Sequence, residues 1–351
     1  MFLTVAKFLH SRFTASMAKR SRKKQTSSRR FRKLRFRYWI FSFFAILVIG
    51  SGLKTAHYFG SPQTREAIER GTLVFIDLAR ESSLLPQEAI FWLDALALNL
   101  PFVYGTSVDP GIVLEAETMV LAGTPLADRS LTFLENDAYL VGYDEQRGNP
   151  AWCAYRIFEA KKEARERPES FETDRRTRAR VATELYVRSG FDRGHMAPNH
   201  AIAVCYGAEA QAQTFLMSNV VPQRHGLNAG VWKSLEQRVL KRYTRQFGDV
   251  WVLCGPVYYS EKPKKLATKK RGVVPAIPDA FFLIVVDREE DSGALRSLAF
   301  LVPHEEAPKN DPKRYLTSID AIEQATGLDF FSRLPETAQA ALEARTAKAV
   351  W

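Results

Sequence analysis

The sequence predicts an α+β protein, a mainly antiparallel sheet with flanking helices, preceded by one N-terminal apolar helix. Three observations predict it. Two runs rich in β-formers, AYLVGYD at 138–144 and WCAYRIF at 152–158, are separated by the turn-forming EQRGNP. Two further apolar runs, WVLCGPVYY at 251–259 and AFFLIVV at 280–286, have the density of buried strands. Between these pairs, Trp232, Leu235, Val239, Tyr243 and Phe247 recur at helical spacing, which predicts an amphipathic helix over 231–247 with Trp232 in the core.

Taken in order, the chain of 351 residues opens on a basic tail, residues 1–37, with 13 Lys or Arg and no acid. The net charge of +11 is therefore misleading: the remainder sets 37 basic against 39 acidic residues, so the body is near neutral. Charge alone does not make it a nucleic-acid binder. Residues 38–53, YWIFSFFAILVIGSGL, carry no charge, and helical rise makes them roughly 24 Å long, enough to span a membrane with flanking cations at its edges. Basic flanks stay on the inner side, which predicts a signal anchor and an exported body. A cleaved signal peptide competes, because Gly50-Ser51-Gly52 offers small residues, although no A-x-A-like site appears. An Arg- and Ser-rich leader without acids also suits a mitochondrial transit peptide. The expected location is membrane-anchored with the body periplasmic or extracellular in a bacterium, and mitochondrial in a eukaryote.

Residues 54–112 read as a helical linker region of unknown role, with one helix expected over Pro86 to Leu98 and a connector through Gly105 to Gly111. The main domain is expected over 113–351. Within it, AKKEARERPESFETDRRTRAR at 160–180 reads as a solvated loop, and the Gly-Pro of WVLCGPVYY as the end of that strand. The basic loop KPKKLATKKRG at 262–272 is either a solvated hairpin tip or a segment able to track a phosphate backbone. Ala- and Glu-rich helices from Ser318 to Trp351 close the domain. Cys153, Cys205 and Cys254 form no CxxC pair and read as buried thiols, with one disulfide as the alternative in an exported body.

The chemistry lies between Ser189 and Arg238, SGFDRGHMAPNHAIAVCYGAEAQAQTFLMSNVVPQRHGLNAGVWKSLEQR. Asp-Arg-Gly-His-x-Ala, Ser-Asn-x-x-Pro-Gln, Leu-Asn-x-x-x-Trp and Leu-Glu follow in that order, and the block resembles the DNA/RNA non-specific endonuclease family, which includes endonuclease G. The likeness extends more loosely from about Asp137 to Val286. Phosphodiester hydrolysis needs a base, and a neutral imidazole near its ordinary pKa of about 6.5 can take a proton from water, a role that fits His195. It needs a cation beside the developing phosphoryl charge, and Arg193, two residues away, shares a strand face with His195 while Gly194 would let substrate backbone approach. It also needs a hard cation with oxygen ligands.

The resemblance implies the rest. It makes Asn228 the metal ligand, for Mg2+ with Mn2+ as the alternative ion, and Glu236 the group that holds metal-bound water, provided the chain around Asn228 is non-helical. It makes Asn219 a site-positioning residue and matches Arg167, with Arg165 as the alternative, to a phosphate-contacting arginine. It implies a ββα-metal (His-Me finger) unit, DNA and RNA as substrates, products with a 5′-phosphate, and compatibility with a homodimer. Alternation along a strand points Asp192 away from Arg193 and toward structural pairing, and His200, His225 and His304 read as structural hydrogen-bonding residues. Two rival readings remain open at this stage: an exported phosphodiesterase for small phosphate esters, and an inactive nucleic-acid-binding protein.

Overall fold

A computed structural model describes residues 52–53, 55–81, 93, 107–114, 118–159, 166–267 and 272–351. The basic tail, nearly all of the expected span at 38–53 and, apart from Leu93, the helix expected at Pro86 to Leu98 lie outside these. Among the described residues no helix is long and apolar enough to cross a membrane. The chain divides into two compact units, Met1–Leu96 and Ala97–Trp351. In the first, helix α1 (Pro62–Glu81) starts where Ser61 Oγ accepts the Thr64 N–H, with proline in the first turn where a missing N–H does no harm.

The second unit is built on a seven-stranded, wholly antiparallel sheet. Its strands are β2 (Thr132–Glu135), β3 (Leu140–Asp144), β4 (Asn149–Ile157), β7 (Val250–Val257), β8 (Ala280–Arg288), β9 (Leu295–Pro303) and β10 (Leu316–Thr317). They lie in the order β10-β9-β8-β7-β4-β3-β2. A short pair, β1 (Leu126–Ala127) with β11 (Leu328–Asp329), and a hairpin, β5 (Asp192–His195) with β6 (Val220–Gln223), stand apart.

Alternation along the central strands separates two packed faces. One face carries Trp152, Ala154, Trp251, Leu253, Phe282 and Ile284 against Ile319 and Ile322 of α5 (Ile319–Thr326) and Ala338 and Leu342 of α6 (Glu336–Glu343). The other carries Cys153, Tyr155, Val252, Cys254 and Phe281 toward the β5–β6 hairpin and the helical run 225–247. Burial on both sides explains why these strands read as unbroken apolar runs. All three thiols are buried and free.

Two expectations change here. Gly255-Pro256 does not end β7, which stays paired with β8 to Val257. Pairing with β4 stops at Cys254, so the N–H missing at Pro256 removes no bond from that side. The described half of 160–180 is no free solvated loop, because Glu172 exchanges backbone hydrogen bonds with Phe215 and Met217, and Asp174 is buried against Arg176 and Ser218.

Between β5 and β6 the chain forms α2 (Asn199–Tyr206) and α3 (Ala208–Gln213), turned at Gly207 with a positive φ. After β6 comes the run α4, from His225–Leu227 through Thr244–Phe247. It is kinked at Gly230, whose φ of −98° and ψ of −114° leave the helical region. Trp232 is buried in the core against Phe281 as expected, and the C-terminal Trp351 packs edge-on to Tyr243 and Phe247.

Candidate active site

The β5–β6 ladder sets the first geometry. Asp192 lies opposite Gln223, Arg193 opposite Pro222, Gly194 opposite Val221 and His195 opposite Val220. The period of two places Arg193 and His195 on one face. Gly194 has a different reason from the one the sequence suggested. A Cβ there would lie 2.0 Å from Gln223 Oε1, so the glycine makes room for a glutamine across the hairpin rather than for substrate.

His195 stands between two phenyl rings, Phe171 at 5.2 Å and Phe215 at 5.1 Å between centroids. Burial pushes its pKa from 6.5 down to about 3, and the Arg167 charge adds to the shift. The imidazole is therefore a much weaker base than its ordinary value implies, and it is neutral at physiological pH. Its Nε2 is buried without a hydrogen-bond partner. The Arg167 guanidinium lies 5.1 Å from the Phe215 ring, and that of Arg193 lies 5.6 Å from Phe171 and 5.7 Å from Tyr186. Arg193 Nη2 donates to Thr183 O at 2.8 Å, while its Nε is buried and unpartnered. Two guanidiniums and the imidazole thus converge around the Phe171 and Phe215 rings.

Asn219 is fully buried, and its amide is used up. Oδ1 accepts the Ala197 N–H at 2.8 Å, and Nδ2 donates to Ala197 O and Thr214 O at 3.0 Å each. It touches no solvent and cannot be a group that meets substrate. Its place is to hold the chain two residues beyond His195. Below it, Cys254 Sγ donates to Met196 O.

Asn228 Nδ2 donates to Asp192 Oδ2 at 2.9 Å, and His225 Nδ1 meets the same oxygen at 2.8 Å. Asp192 does pair structurally, but its partner is the asparagine of the site. With the amide nitrogen pinned, Asn228 Oδ1 is left without a protein partner among the described residues. Asn228 itself is helical, at φ −59° and ψ −49°; the non-helical backbone expected around it falls two residues later, at Gly230. The turn bearing Asn228 is clamped from outside. His304 Nε2 accepts the Arg224 N–H at 2.7 Å, His304 Nδ1 bonds Pro278 O at 2.7 Å, and Arg224 pairs with Glu306 at 2.6 Å. Gly226 lies so close to Glu306 O that a Cβ would stand 1.8 Å from it.

Glu236 is six residues past the kink. Burial pushes its carboxyl up to about 8, with the Trp232 indole and Lys233 pulling it down, although Trp232 Nε1 makes no hydrogen bond of ordinary geometry. No hydrogen bond joins Glu236 to His195 or Asn228. The structure therefore brings together His195, Arg193 and Arg167, and separately Asn228 with Asp192 three residues upstream on the same strand. Phe171, Phe215 and Gln223 are neighbours not expected from the sequence, and Asp192 was expected to pair but not with Asn228. Gln223 stood within a quoted motif, and its side-chain amide is buried with neither end bonded; the two phenylalanines carried no pattern.

Asn228 Oδ1 is a hard oxygen donor, with the Asp192 carboxylate bonded to its own amide nitrogen and His225 bonded in turn to that carboxylate. Among the described residues, the carboxylates clustered closely enough to hold an ion together are Asp320, Glu323 and Glu343 on α5 and α6, where Phe330 N–H and Gln339 already donate to the two glutamates. A divalent ion that keeps most of its water and takes one protein oxygen fits the Asn228 donor.

Residues 118–337 match the DNA/RNA non-specific endonuclease family. The chain belongs to that family. A nuclease of Nostoc sp. is 29% identical over 217 residues, covering 59% of this chain and 76% of that one. The mitochondrial nuclease EXOG of Danio rerio is 30% identical over 231 residues, and mitochondrial nuclease 1 of Schizosaccharomyces pombe 27% over 227. These matches cover 60% of this chain in each case and 64% and 68% of the relatives' lengths. Among solved structures, endonuclease G in complex with its inhibitor EndoGI superposes with a TM-score of 0.52 at 24% identity, over 59% of this chain and 88% of that one, a likeness of fold. The protein is a nucleic-acid hydrolase of a metal-dependent nuclease family.

Proposed function

We propose that this endonuclease cleaves DNA and RNA without regard to base identity, using His195 as general base and Mg2+, or Mn2+ in its place, held at Asn228. The observation that carries the reading is the unpartnered Nε2 of His195 between two arginine-bearing phenyl rings. A phosphate arriving there brings the negative charge that Arg167 and Arg193 lack. It also raises the imidazole pKa from its lowered value toward the working pH, where a base is most effective. His195 then takes the proton of the attacking water, and Arg193 stabilises charge on the phosphoryl oxygens. A divalent ion held by Asn228 would supply neutralisation of the charge on the leaving 3′ oxygen, which takes its proton from solvent water, so that the products carry a 5′-phosphate and a 3′-hydroxyl. Asp192 would orient Asn228 toward that ion, Glu236 would hold a water beside it, and Asn219 keeps His195 in place.

Residues 113–351 form the catalytic domain in this proposal, and 38–53 tether it to a membrane. The body is extracytoplasmic in a bacterium, and mitochondrial in a eukaryote. A homodimer is compatible with the proposal. Base-independent cleavage follows because charge recognition reads phosphate and sugar. The test is a panel of plasmid, RNA and a small aryl phosphodiester, each with magnesium or chelator. Metal-dependent loss of both polymers is expected. Turnover of the small ester alone would point to the small-phosphodiester reading, and binding of polymer without cleavage to the inactive binder.

A further inference from the structure

A cavity of about 410 Å³ outside the His195 site is lined by Arg129, Ser130, Asp144, Arg147, Lys262 and Lys265, with Glu261 at its rim. Its floor is built. The buried Asp144 carboxylate accepts the backbone N–H groups of Gln146 and Arg147 at 3.0 Å each, Arg129 Nε at 3.3 Å, and Arg147 Nη1 at 3.5 Å. Arg129 Nη1 also pairs with Asp128 Oδ1 at 3.0 Å, so two carboxylates answer the two guanidiniums and the excess positive charge comes from Lys262 and Lys265. Arg129 is steadied further by Thr326 O at 2.9 Å, and Arg147 by lying 4.7 Å from the Tyr258 ring. Lys265 Nζ donates to Gln146 O at 3.3 Å, while the Lys262 ammonium has no partner among the described residues. Four cations face three acids, Asp128, Asp144 and Glu261.

Two guanidiniums, a serine hydroxyl and two ammonium groups supply the several N–H and O–H donors that a phosphate can accept from. The cavity is also joined to the proposed catalytic face. The turn that forms its wall carries Glu145, which accepts the Arg178 and Ala179 N–H groups at 3.0 and 2.6 Å. Four residues after Ala179, Thr183 O holds Arg193. From the other side, Tyr186 packs on Arg193 and is within electrostatic reach of Tyr258, on which Arg147 lies. A polyanion bound at Arg193 could follow this wall into the cavity.

We infer that the Arg129–Arg147–Lys262–Lys265 cavity is a second phosphate-binding subsite, which grips a backbone phosphate of a polynucleotide some nucleotides away from the bond that is cut. It rests on the nucleic-acid reading above. The subsite adds affinity for polymers and none for a small ester, because only a chain can reach both places. Lys262 and Lys265 are exposed and can be changed without disturbing the floor.

The experiment compares the full chain with its Lys262→Ala/Lys265→Ala form. Duplex DNA binding is measured against salt in a His195→Ala background, and turnover of DNA and of an aryl phosphodiester in the active background. The expected results are a plot of log affinity against log salt that is shallower by about 1 to 2, and a KM for DNA higher by about tenfold at unchanged kcat. Turnover of the aryl ester should not move. An unchanged salt slope overturns the subsite, as does an equal loss on both substrates. So does saturation of the cavity by inorganic phosphate, followed by NMR shifts, with no change in the DNA slope. If the parent protein cuts nothing, the catalytic reading falls, while the salt slope still decides the subsite.

Discussion

An imidazole held between two phenyl rings with an arginine on each side resists protonation, and that property makes His195 testable. Replacing it with alanine removes the base and should lower cleavage by about 10²- to 10⁴-fold while the far-ultraviolet circular dichroism stays as in the parent; wild-type turnover would remove His195 from the mechanism. The lowered pKa also has a sign in stability. Between about 3 and 6.5 the unfolded chain binds a proton here that the folded chain does not, so stability is full above 6.5 and declines as pH falls toward 3. Urea denaturation at pH 5 and pH 7 should show the parent losing more stability on acidification than His195→Gln; equal losses would contradict the burial. Gly194 makes a further point at this scale. Its motif position was plain in the sequence, but the reason for it, the Gln223 amide across the hairpin, belongs to packing that no spacing rule reveals.

At the scale of elements, the site is a hairpin followed by a kinked helix, and each part is held by something outside it. The helix start is secured by the 304–307 segment that follows β9, through His304, Glu306 and the close approach at Gly226. His304 acts through Arg224 on the turn that carries Asn228. Removing the ring with His304→Ala should raise the magnesium concentration for half-maximal activity by about tenfold, the lower end for groups that orient a metal ligand. His304→Gln can still offer an oxygen to the Arg224 N–H and should recover most of the loss, while His304→Asn keeps reach only to Pro278 O and should not. Metal titrations in which the two amides behave alike would dismiss the clamp. The helical period of 231–247 was legible because its apolar face repeats every three to four residues. A break near Asn228 was expected as well; what the structure decided is that it falls at Gly230 while Asn228 itself stays helical.

At the largest scale, a sheet buried on both faces separates the β5–β6 hairpin from α5 and α6, yet Trp351 returns to the hairpin's side. Trp351 is fully buried against Tyr243 and Phe247 of α4. Trp351→Ala should destabilise the protein by about 3 to 5 kcal/mol, read from urea midpoints, with the lost cavity contacts concentrated under α4; a shift below 1 kcal/mol would show that the indole is dispensable. The charge segregation belongs to this scale too. With 13 cations in the first 37 residues and a near-neutral body, affinity for nucleic acid has to come from local clusters. If residues 38–53 anchor the chain, alkaline carbonate should leave it in the membrane pellet, and release into the supernatant would refute the tether.

Sequence by itself determined the family, the antiparallel sheet, the buried strands and the motif carrying His195, Arg193 and Asn228. These are properties of periodicity and of short motifs, encoded in residues adjacent along the chain. Tertiary structure alone decided how those residues act. It brought Phe171 and Phe215, 44 residues apart in sequence, to the two sides of one imidazole and so lowered its basicity. It turned Asp192 from a generic structural acid into the holder of Asn228, sent Asn219 into the interior, and set Lys262 and Lys265 over a floor made by Arg129 and Arg147. Solvation and charge depend on what surrounds a group in space, and the chain specifies those surroundings only through its packing.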